Sequence, residues 1–363
     1  GLDSLEIRLK NAAKEGTRRA DGVVFSNIGC EEVIQAMKNH PHWKSKLEGP
    51  NRGRGVGLGY WFNVGGPASV SIMVNSNGTV NLTEGSADIG GTRASIAMQA
   101  AEVLGIRAED VNPAVVGTDS IGFTSGTGGS SVTFKTGWAA YAAAHDVLNQ
   151  MVERAAKIWN VDADTLEMKD GVVSSKTDSK LTMTFKEVAS QAEDTGGPIV
   201  GRGNTNASTH GAGFAGAIAD VEVDPETGKV DILRFTMAQD VGTAIHPSYV
   251  EGQIQGGSAQ GIGWALNEEY FMSKDGAMMN TSWLDYRMPT SLDLPMLDAE
   301  IVEVPNLGHP FGVRGVGEVN IVPPPAAIAN AIYNAVGVRM NKLPMNPGAV
   351  QAEIQKRGDN GTE

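Results

Sequence analysis

The chain has 363 residues, of which 41% are hydrophobic and 20% are charged, a composition typical of a globular protein of about two domains. Its net charge of −13 argues against nucleic acid and anionic membranes as partners. We expect neither a signal peptide nor a membrane span, since the sequence has no run of about 20 apolar residues. The single cysteine, Cys30, excludes an internal disulfide and a cysteine-based zinc or iron–sulfur site built from this chain alone, and it fits a reducing, cytoplasmic setting.

The first part of the chain, residues 1–50, reads as a helical connector. Apolar residues recur at helical spacing over Leu5–Lys14. A second short helix is predicted from Glu31 to His40, where Pro41 ends it.

Residues 51–175 form the first of two predicted lobes. Alternating apolar residues on both sides of Asn77-Gly78 predict a β-hairpin with a type I′ turn. A helix is predicted over Thr92–Leu104, with Thr92 as its N-cap. A long helix is predicted over Thr136–Trp159, and its apolar stripe includes His145, which we therefore expect in the core.

Residues 176–363 form the second predicted lobe, which repeats the order of the first. A hairpin turning at Pro225–Gly228 is followed by Asp240-Val241-Gly242 and then by a helix after Pro247, as the first hairpin is followed by Asp88-Ile89-Gly90 and a helix. The pattern indicates either a weak internal repeat or two independent hairpins. The fold class is predicted to be α+β, with two similar lobes of β-hairpins and mixed sheet packed with helices.

The helix after Pro247 carries many glycines. Each costs about 1 kcal/mol relative to alanine in a helix interior, so close packing against another backbone or a large ligand should offset the loss. The sequence leaves both explanations open for Gly252, Gly256, Gly257, Gly261 and Gly263.

Glu318 is the best candidate for a catalytic side chain. It follows Gly315 and Gly317 and precedes a proline-started helix, so its carboxylate is placed to act as a general base in a cleft. An exposed loop glutamate is the alternative. The chain has no H-E-x-x-H, Walker A or G-x-S-x-G motif, and its six histidines lack metal-ligand spacing, so no protein-ligated metal is expected.

A second candidate is the loop Gly126–Ser131, which is rich in backbone N–H groups and hydroxyls. Such loops suit an anionic ligand such as a phosphate or a cofactor.

Three motifs occur in the order found in one family. They are Leu5–Asn11 with Lys14-Glu15-Gly16, then Asp240-Val241-Gly242 with Gly252–Gly256 and Gln260–Gly263, and finally Gly315–Glu318 with Val322–Ile332. Together they resemble the C-terminal half of the molybdenum-cofactor-binding subunit of the xanthine dehydrogenase/aldehyde oxidase family. The resemblance covers nearly the whole chain.

The resemblance implies a molybdenum hydroxylase that oxidises an N-heteroaromatic compound or an aldehyde with oxygen from water. Molybdenum in this family is held by a pterin dithiolene, so no side chain need bind it. Glu318 matches the glutamate that takes a proton from a metal-bound hydroxyl, while hydride passes to a ligand of the metal. Electrons then leave through iron–sulfur clusters, commonly to flavin.

The family's cofactor contacts match one amide and two glycine-containing turns, and its substrate pocket matches two aromatic residues. One departure occurs in the first turn, where the family often has Gly-Gln-Gly and this chain lacks the amide side chain. The implied cofactor-binding residues are Gly90, Gly91, Thr92, Gly128, Gly129, Ser130, Ser131 and Gln253, and the implied substrate residues are Tyr60 and Phe62.

The resemblance also implies partners. The expected cofactor is molybdopterin in its cytosine dinucleotide form, with 2Fe-2S clusters and FAD on other chains. The family's N-terminal molybdopterin domain is absent here, so either a separate subunit supplies it, as in nicotinate dehydrogenase, or the sequence is a fragment. Two other functions stay open: a non-catalytic cofactor-binding or scaffold half, and an aromatic thioester reductase of the same family.

Overall fold

The computed structural model describes residues 1–207 and 211–360. The helices are α1 (Ser4–Lys10), α2 (Cys30–Asn39), α3 (Pro41–Lys44), α4 (Thr92–Leu104), α5 (Thr118–Ile121), α6 (Val132–Trp159), α7 (Phe185–Ala189), α8 (Ala192–Thr195), α9 (Pro247–Leu266), α10 (Pro323–Val336) and α11 (Pro347–Asn360). The strands are β1 (Arg52–Trp61), β2 (Gly66–Val74), β3 (Val80–Glu84), β4 (Val111–Val115), β5 (Leu166–Lys169), β6 (Val172–Ser175), β7 (Thr182–Thr184), β8 (Val200–Ala207), β9 (Gly213–Val223), β10 (Val230–Asp240) and β11 (Leu297–Val302). The predicted α+β fold class is confirmed.

The chain divides into two compact units that are each discontinuous in sequence. Unit 1 comprises residues 1–62, 212–305 and 316–360, and unit 2 comprises residues 63–207, 211 and 306–315. The predicted lobe boundary after residue 175 falls inside unit 2. Local composition cannot reveal this division, because it depends on strands that pair across more than a hundred residues.

Unit 1 is built on a sheet with the order β1-β9-β10-β11. The pairs β1/β9 and β9/β10 are antiparallel, and β10/β11 is parallel. Strand β9 is buried on both faces. Its Phe214 and Ile218 pack in one cluster with α2, whereas Ala217 and Val221 on the opposite face pack in another with α9 and α10. This two-sided burial follows from the alternation of side chains along a strand.

Alternate glycines of β1 let α10 lie directly on the sheet. A Cβ at Gly53, Gly55 or Gly57 would overlap backbone atoms of α10, and one at Gly59 would lie 2.8 Å from Cδ of Pro323. Only glycine permits this distance between a helix and a strand.

Unit 2 has the same spatial arrangement of strands, although its edge strand β8 follows the hairpin in sequence whereas β1 precedes it. Its larger sheet has the order β8-β2-β3-β4, with β2/β8 and β2/β3 antiparallel and β3/β4 parallel. The helix between the parallel strands is α4 here and α9 in unit 1. Gly201 and Gly203 of β8 would overlap the backbone of α6 if they carried a Cβ, as the glycines of β1 would overlap α10. These correspondences favour the internal repeat over two independent hairpins. Unit 2 also contains the small antiparallel sheet β5-β6-β7.

The long helix α6 differs from its prediction in two respects. It starts at Val132 instead of Thr136. Its buried face consists largely of small residues such as Ala139, Ala143 and Val147, and His145 is exposed, so its predicted core position is wrong. Because α6 contacts the glycines of β8 at backbone distance, its inner face must be small, and the larger apolar residues flank that face.

Candidate functional site

Glu318 lies at the junction between a loop and a helix of unit 1. A 3₁₀ turn over Val319–Ile321 follows it, and α10 begins at Pro323 as predicted. The Glu318 side chain is half-buried and forms no capping hydrogen bond to this turn. Its carboxylate therefore lies at the margin of the core, where a general base can reach a reacting group.

Two buried amide side chains fix the backbone before Glu318. Nε2 of Gln239, near the end of β10, donates to the carbonyl oxygen of Val316 at 3.1 Å, and Nδ2 of Asn320 donates to the same oxygen at 2.8 Å. Nδ2 of Asn320 also donates to the backbone oxygen of Gln253 in α9 at 3.0 Å. Because both amides are fully buried, water does not compete for these bonds. We call Gln239 and Asn320 the amide clamp.

The amide clamp also carries acceptors without a partner. Oε1 of Gln239 and Oδ1 of Asn320 accept no hydrogen bond from the part of the chain that the structure describes. Buried polar atoms normally have a partner, which can be a ligand or an ordered water. Neither residue stands out in the sequence, because a lone amide in a strand or a loop has no periodic signal.

Part of the glycine content of α9 is explained by packing. A Cβ at Gly257 would overlap the amide of Asn320, and a Cβ at Gly261 would lie 2.6 Å from Cγ of Pro324. These two glycines therefore bring α9 against the segment that carries Glu318.

The other face of α9 is open. No atom lies within 4 Å of the Cβ position at Gly252 or Gly256. Gln253, which follows Gly252, is half-buried. Space beside α9 is therefore open at these glycines, next to the predicted cofactor-binding amide of Gln253.

In unit 2, the predicted cofactor loop has the backbone geometry of an anion-binding turn. Gly129 and Ser130 have φ angles of 64° and 56°, and no atom lies within 4 Å of the Cβ position at Gly128. Ser131 is the N-cap of the 28-residue α6, and its buried Oγ has no partner among the described residues. Successive N–H groups at such a turn and at a helix start attract negative charge.

The same loop is braced from two sides within unit 2. The Val64 amide donates to the carbonyl oxygen of Gly129 at 2.9 Å. A Cβ at Gly315 would overlap the carbonyl oxygen of Ser130, and Nδ2 of Asn63 lies 3.3 Å from the carbonyl oxygen of Gly315. Gly315 therefore serves to pack one loop on another, which the sequence pattern did not distinguish from a close approach to a ligand.

The segment that leads to Gly315 is anchored by His309. Its ring lies 5.1 Å from that of Phe134, between ring centroids, and its Nε2 lies 3.1 Å from the carbonyl oxygen of Phe134. The Phe311 amide donates to Nδ1 of His309 at 3.1 Å. Burial lowers the pKa of His309 to about 4, so the ring is neutral near pH 7.

The turn at Gly90 and Gly91 also belongs to unit 2. Both residues have positive φ, 60° and 80°, and Gly91 is the N-cap of α4. Thr92 is the first helical residue, so its predicted role as N-cap is wrong. Its Oγ1 instead accepts a hydrogen bond from the Ile89 amide at 3.3 Å. A cofactor contact at this turn stays a prediction.

The two aromatic residues predicted for the substrate pocket lie in different surroundings. The ring of Tyr60 lies 5.9 Å from that of Phe25 and 5.4 Å from that of Phe214, and burial raises the pKa of Tyr60. Phe62 is 40% exposed, with its ring 4.9 Å from that of Trp61. The contacts of Tyr60 favour the core alternative, whereas Phe62 is accessible to a ligand.

The predicted site residues are thus distributed over both units. Glu318, Gln253, Tyr60 and Phe62 belong to unit 1, and residues 90–92 and 128–131 belong to unit 2. Over residues 1–207 and 211–360, no three histidine, cysteine or acidic side chains form a group that could hold a metal ion. In the same ranges, no helix combines the length and the apolar character needed to cross a membrane.

Comparison with known proteins identifies relatives of the whole chain. It is 31% identical to the xanthine dehydrogenase molybdenum-binding subunit of Escherichia coli O157:H7, over 99% of this chain and 50% of that protein. It is 28% identical to the nicotine 6-hydroxylase large subunit of Paenarthrobacter nicotinovorans, over 96% and 47% of the two chains. The chain therefore spans about half the length of these relatives.

Solved structures share the fold. Carbon monoxide dehydrogenase from Oligotropha carboxidovorans matches with a TM-score of 0.85 and 20% identity, over 99% of this chain and 49% of that one. Aldehyde oxidoreductase from Desulfovibrio gigas matches with a TM-score of 0.77 and 25% identity, over 98% and 39%. A family model described as a molybdopterin cofactor-binding domain matches residues 33–295. The chain therefore belongs to the molybdopterin cofactor-binding domain family and is related to molybdenum-binding subunits of the xanthine dehydrogenase type, as its sequence motifs predict.

Proposed function

We propose that the chain is the base-carrying half of a molybdenum hydroxylase that oxidises an N-heteroaromatic compound or an aldehyde with oxygen from water. The names of the relatives support this substrate range, since they include a xanthine dehydrogenase, a nicotine 6-hydroxylase and an aldehyde oxidoreductase. The observation that carries the proposal is the amide clamp, which holds the backbone two residues before Glu318.

The residues present fit a molybdopterin. Its phosphate is matched by the positive-φ turn at Gly129 and Ser130 and by the unpartnered Oγ of Ser131. In unit 1, taken by itself, the amide of Gln253 offers a donor and an acceptor to polar cofactor atoms, beside the open positions Gly252 and Gly256. We propose these residues as the cofactor contacts of this chain, with the cytosine dinucleotide as the form bound. When bound, the cofactor supplies the site that accepts the substrate's electrons.

In this proposal Glu318 accepts a proton at a carboxylate oxygen. The carboxylate must keep one position while the proton moves, and a flexible loop would not hold it. Hydrogen bonds from Gln239 and Asn320 to the Val316 carbonyl fix the backbone two residues before it, and the 3₁₀ turn and α10 fix the backbone after it. The protein thus supplies a positioned base.

The test is to replace Glu318 by glutamine in the assembled enzyme. Glutamine has nearly the same shape but accepts no proton at neutral pH, so turnover should fall by about 10²–10⁴-fold with unchanged molybdenum content. Glu300→Gln is the matched control, because Glu300 is also half-buried in unit 1 but lies in β11. Unchanged turnover in the Glu318 variant would contradict the assignment and favour a non-catalytic scaffold.

An exposed apolar segment supports a partner polypeptide. Residues 267–296, between α9 and β11, contain no helix or strand beyond an isolated bridge. Several of their large apolar side chains are almost fully exposed, including Tyr270, Trp283, Leu284, Leu292 and Met296. A monomeric surface rarely concentrates so many large apolar groups in one segment. We propose that the segment is covered by the half of the molybdenum-binding subunit that this chain does not span.

Further partners are proposed to carry the electrons away. A 2Fe-2S subunit and an FAD subunit would complete the complex, since this chain has only one cysteine. Native mass spectrometry of the complex from its source, with metal analysis of the same sample, tests this composition. Molybdenum and iron in an assembly that contains this chain are expected, and an isolated, metal-free chain would contradict the proposal.

A further inference from the structure

Lys135 is a fully buried lysine in the second turn of α6. Its Nζ donates to the carbonyl oxygen of Ser125 at 2.8 Å, to Oγ of Ser125 at 2.7 Å and to the carbonyl oxygen of Gly126 at 3.0 Å. These three bonds use all the hydrogens of an ammonium group, and all three acceptors are neutral.

No carboxylate of the described residues balances this charge. Among the described residues no acidic side chain forms an ion pair with Lys135, and burial lowers its pKa. Burying an unpaired ammonium is unfavourable, and an apolar residue would fill the same space without that cost. Packing alone therefore does not explain why a lysine occupies position 135.

The hydrogen bonds of Lys135 set the orientation of the loop's peptide groups. In a trans peptide the C=O and the following N–H point in opposite directions. Because the carbonyl groups of Ser125 and Gly126 point towards Nζ, the N–H groups of Gly126 and Thr127 point away from it.

These N–H groups have no acceptor in the part of the chain that the structure describes. Within the described residues, the backbone N–H groups of Gly126, Thr127 and Gly128 donate no hydrogen bond. The Cβ positions of Gly126 and Gly128 have no atom within 4 Å, so the loop is open at these two residues. The unpartnered, buried Oγ of Ser131 at the start of α6 adds a further polar group beside it.

We propose that Lys135 is a positioning residue for a phosphate group. Its ammonium group orients the peptides of residues 125–127 so that the loop presents N–H groups to the anion. The anion in turn supplies the negative charge that balances the buried ammonium. This proposal deepens the proposed function, on which it rests, because the phosphate is then part of the bound cofactor. A free phosphate has the same chemistry and is distinguished by the test.

The first test measures binding of inorganic pyrophosphate to the purified full chain by calorimetry. Lys135→Met keeps an unbranched apolar chain and removes the charge, and Lys169→Met removes an exposed lysine of the same unit as a control. The Lys135 variant should bind at least about tenfold more weakly, which corresponds to about 1.4 kcal/mol, without a loss of thermal stability, and the control should bind as the wild type does. Equal affinity in both variants, or a Lys135 variant that is destabilised but binds normally when folded, would overturn the proposal.

A second measurement does not depend on the folding of a variant. Hydrogen exchange of the amides of Gly126, Thr127 and Gly128 in the wild-type chain should slow when pyrophosphate is added, and unchanged exchange would overturn the proposal. Molybdenum cofactor content of the Lys135 variant in the assembled enzyme then separates the two sources of phosphate. If the Lys135 variant loses both molybdenum cofactor content and pyrophosphate affinity, the phosphate that binds this loop is part of the cofactor. If the cofactor content is unchanged but pyrophosphate binds more weakly, Lys135 still positions an anion site, and the ligand of that site is free phosphate. This result would contradict only the cofactor contacts proposed for this loop.

Discussion

Acid should destabilise unit 2 through His309. The Phe311 amide donates to Nδ1, so Nδ1 carries no proton, and Nε2–H donates to the carbonyl oxygen of Phe134. Both nitrogens are thus satisfied in the neutral ring. A proton added to Nδ1 would break the bond to Phe311 and place a charge in an apolar cluster of rings.

The size of the effect follows from the pKa. Burial lowers the pKa of His309 from 6.5 to about 4, so between these values the unfolded chain binds a proton that the folded chain does not. The contribution of His309 to stability is therefore complete above pH 6.5 and is lost as the pH falls towards 4. A difference of about 2.5 pKa units, at about 1.36 kcal/mol per unit, corresponds to about 3 kcal/mol.

The assay is denaturant unfolding of the chain at pH 7, 6, 5 and 4, compared with His309→Gln. Glutamine can donate and accept hydrogen bonds but does not titrate, so wild type should lose about 3 kcal/mol more than the variant across this range. His42, whose pKa burial also lowers, is present in both proteins and cancels in the comparison. Equal losses in both proteins, or an NMR titration of His309 with its midpoint near 6.5, would refute the reasoning.

Two further predictions concern packing and assembly. Gly257→Ala should destabilise the chain by about 1–3 kcal/mol, because the new methyl group would overlap the amide of Asn320. In the control variant Gly256→Ala the new Cβ has open space, so the free energy of unfolding should rise slightly. Chemical denaturation measures both variants, and equal changes in their stability would contradict the packing argument. Replacing Trp283 and Leu292, which are 86% and 95% exposed, by lysine should leave the melting temperature of the chain nearly unchanged. The same double variant should weaken co-purification with the proposed partner half, and full retention of the complex would rule out this segment as its contact.

The elements that local patterns describe were predictable from sequence. The hairpin at Asn77-Gly78 is present as β2 and β3, because the alternation of apolar residues acts within a few residues. The predicted type I′ turn is wrong, since that turn needs positive φ at both central residues and only Gly78 has it. The helix predicted from Glu31 to His40 differs from α2 by one residue at each end. The pairing of β1 with β9 is not predictable in this way, since it joins Arg52 to Glu222 and has no local signal.

The candidate site was predictable only where a motif marks it. Glu318 has such a motif, but Lys135 does not. A lysine within a helix is normally taken as a solvent-exposed residue, and its burial became evident only from the loop that folds over it. The amide clamp also has no sequence motif. Gln239 lies in β10 and Asn320 in the 3₁₀ turn after Glu318, and only the fold brings both to the carbonyl oxygen of Val316.

The glycine ladder of β1 has a consequence for attempts to change the substrate range by directed evolution. Alternate positions from Gly53 to Gly59 admit no side chain beneath α10, and α10 starts five residues after Glu318. The position of Glu318, the proposed base, therefore depends on glycines that no larger residue can replace, so substitutions in β1 cannot shift it in small steps. Libraries should therefore leave β1 untouched and diversify Phe62, the proposed substrate residue, and the open positions of α9.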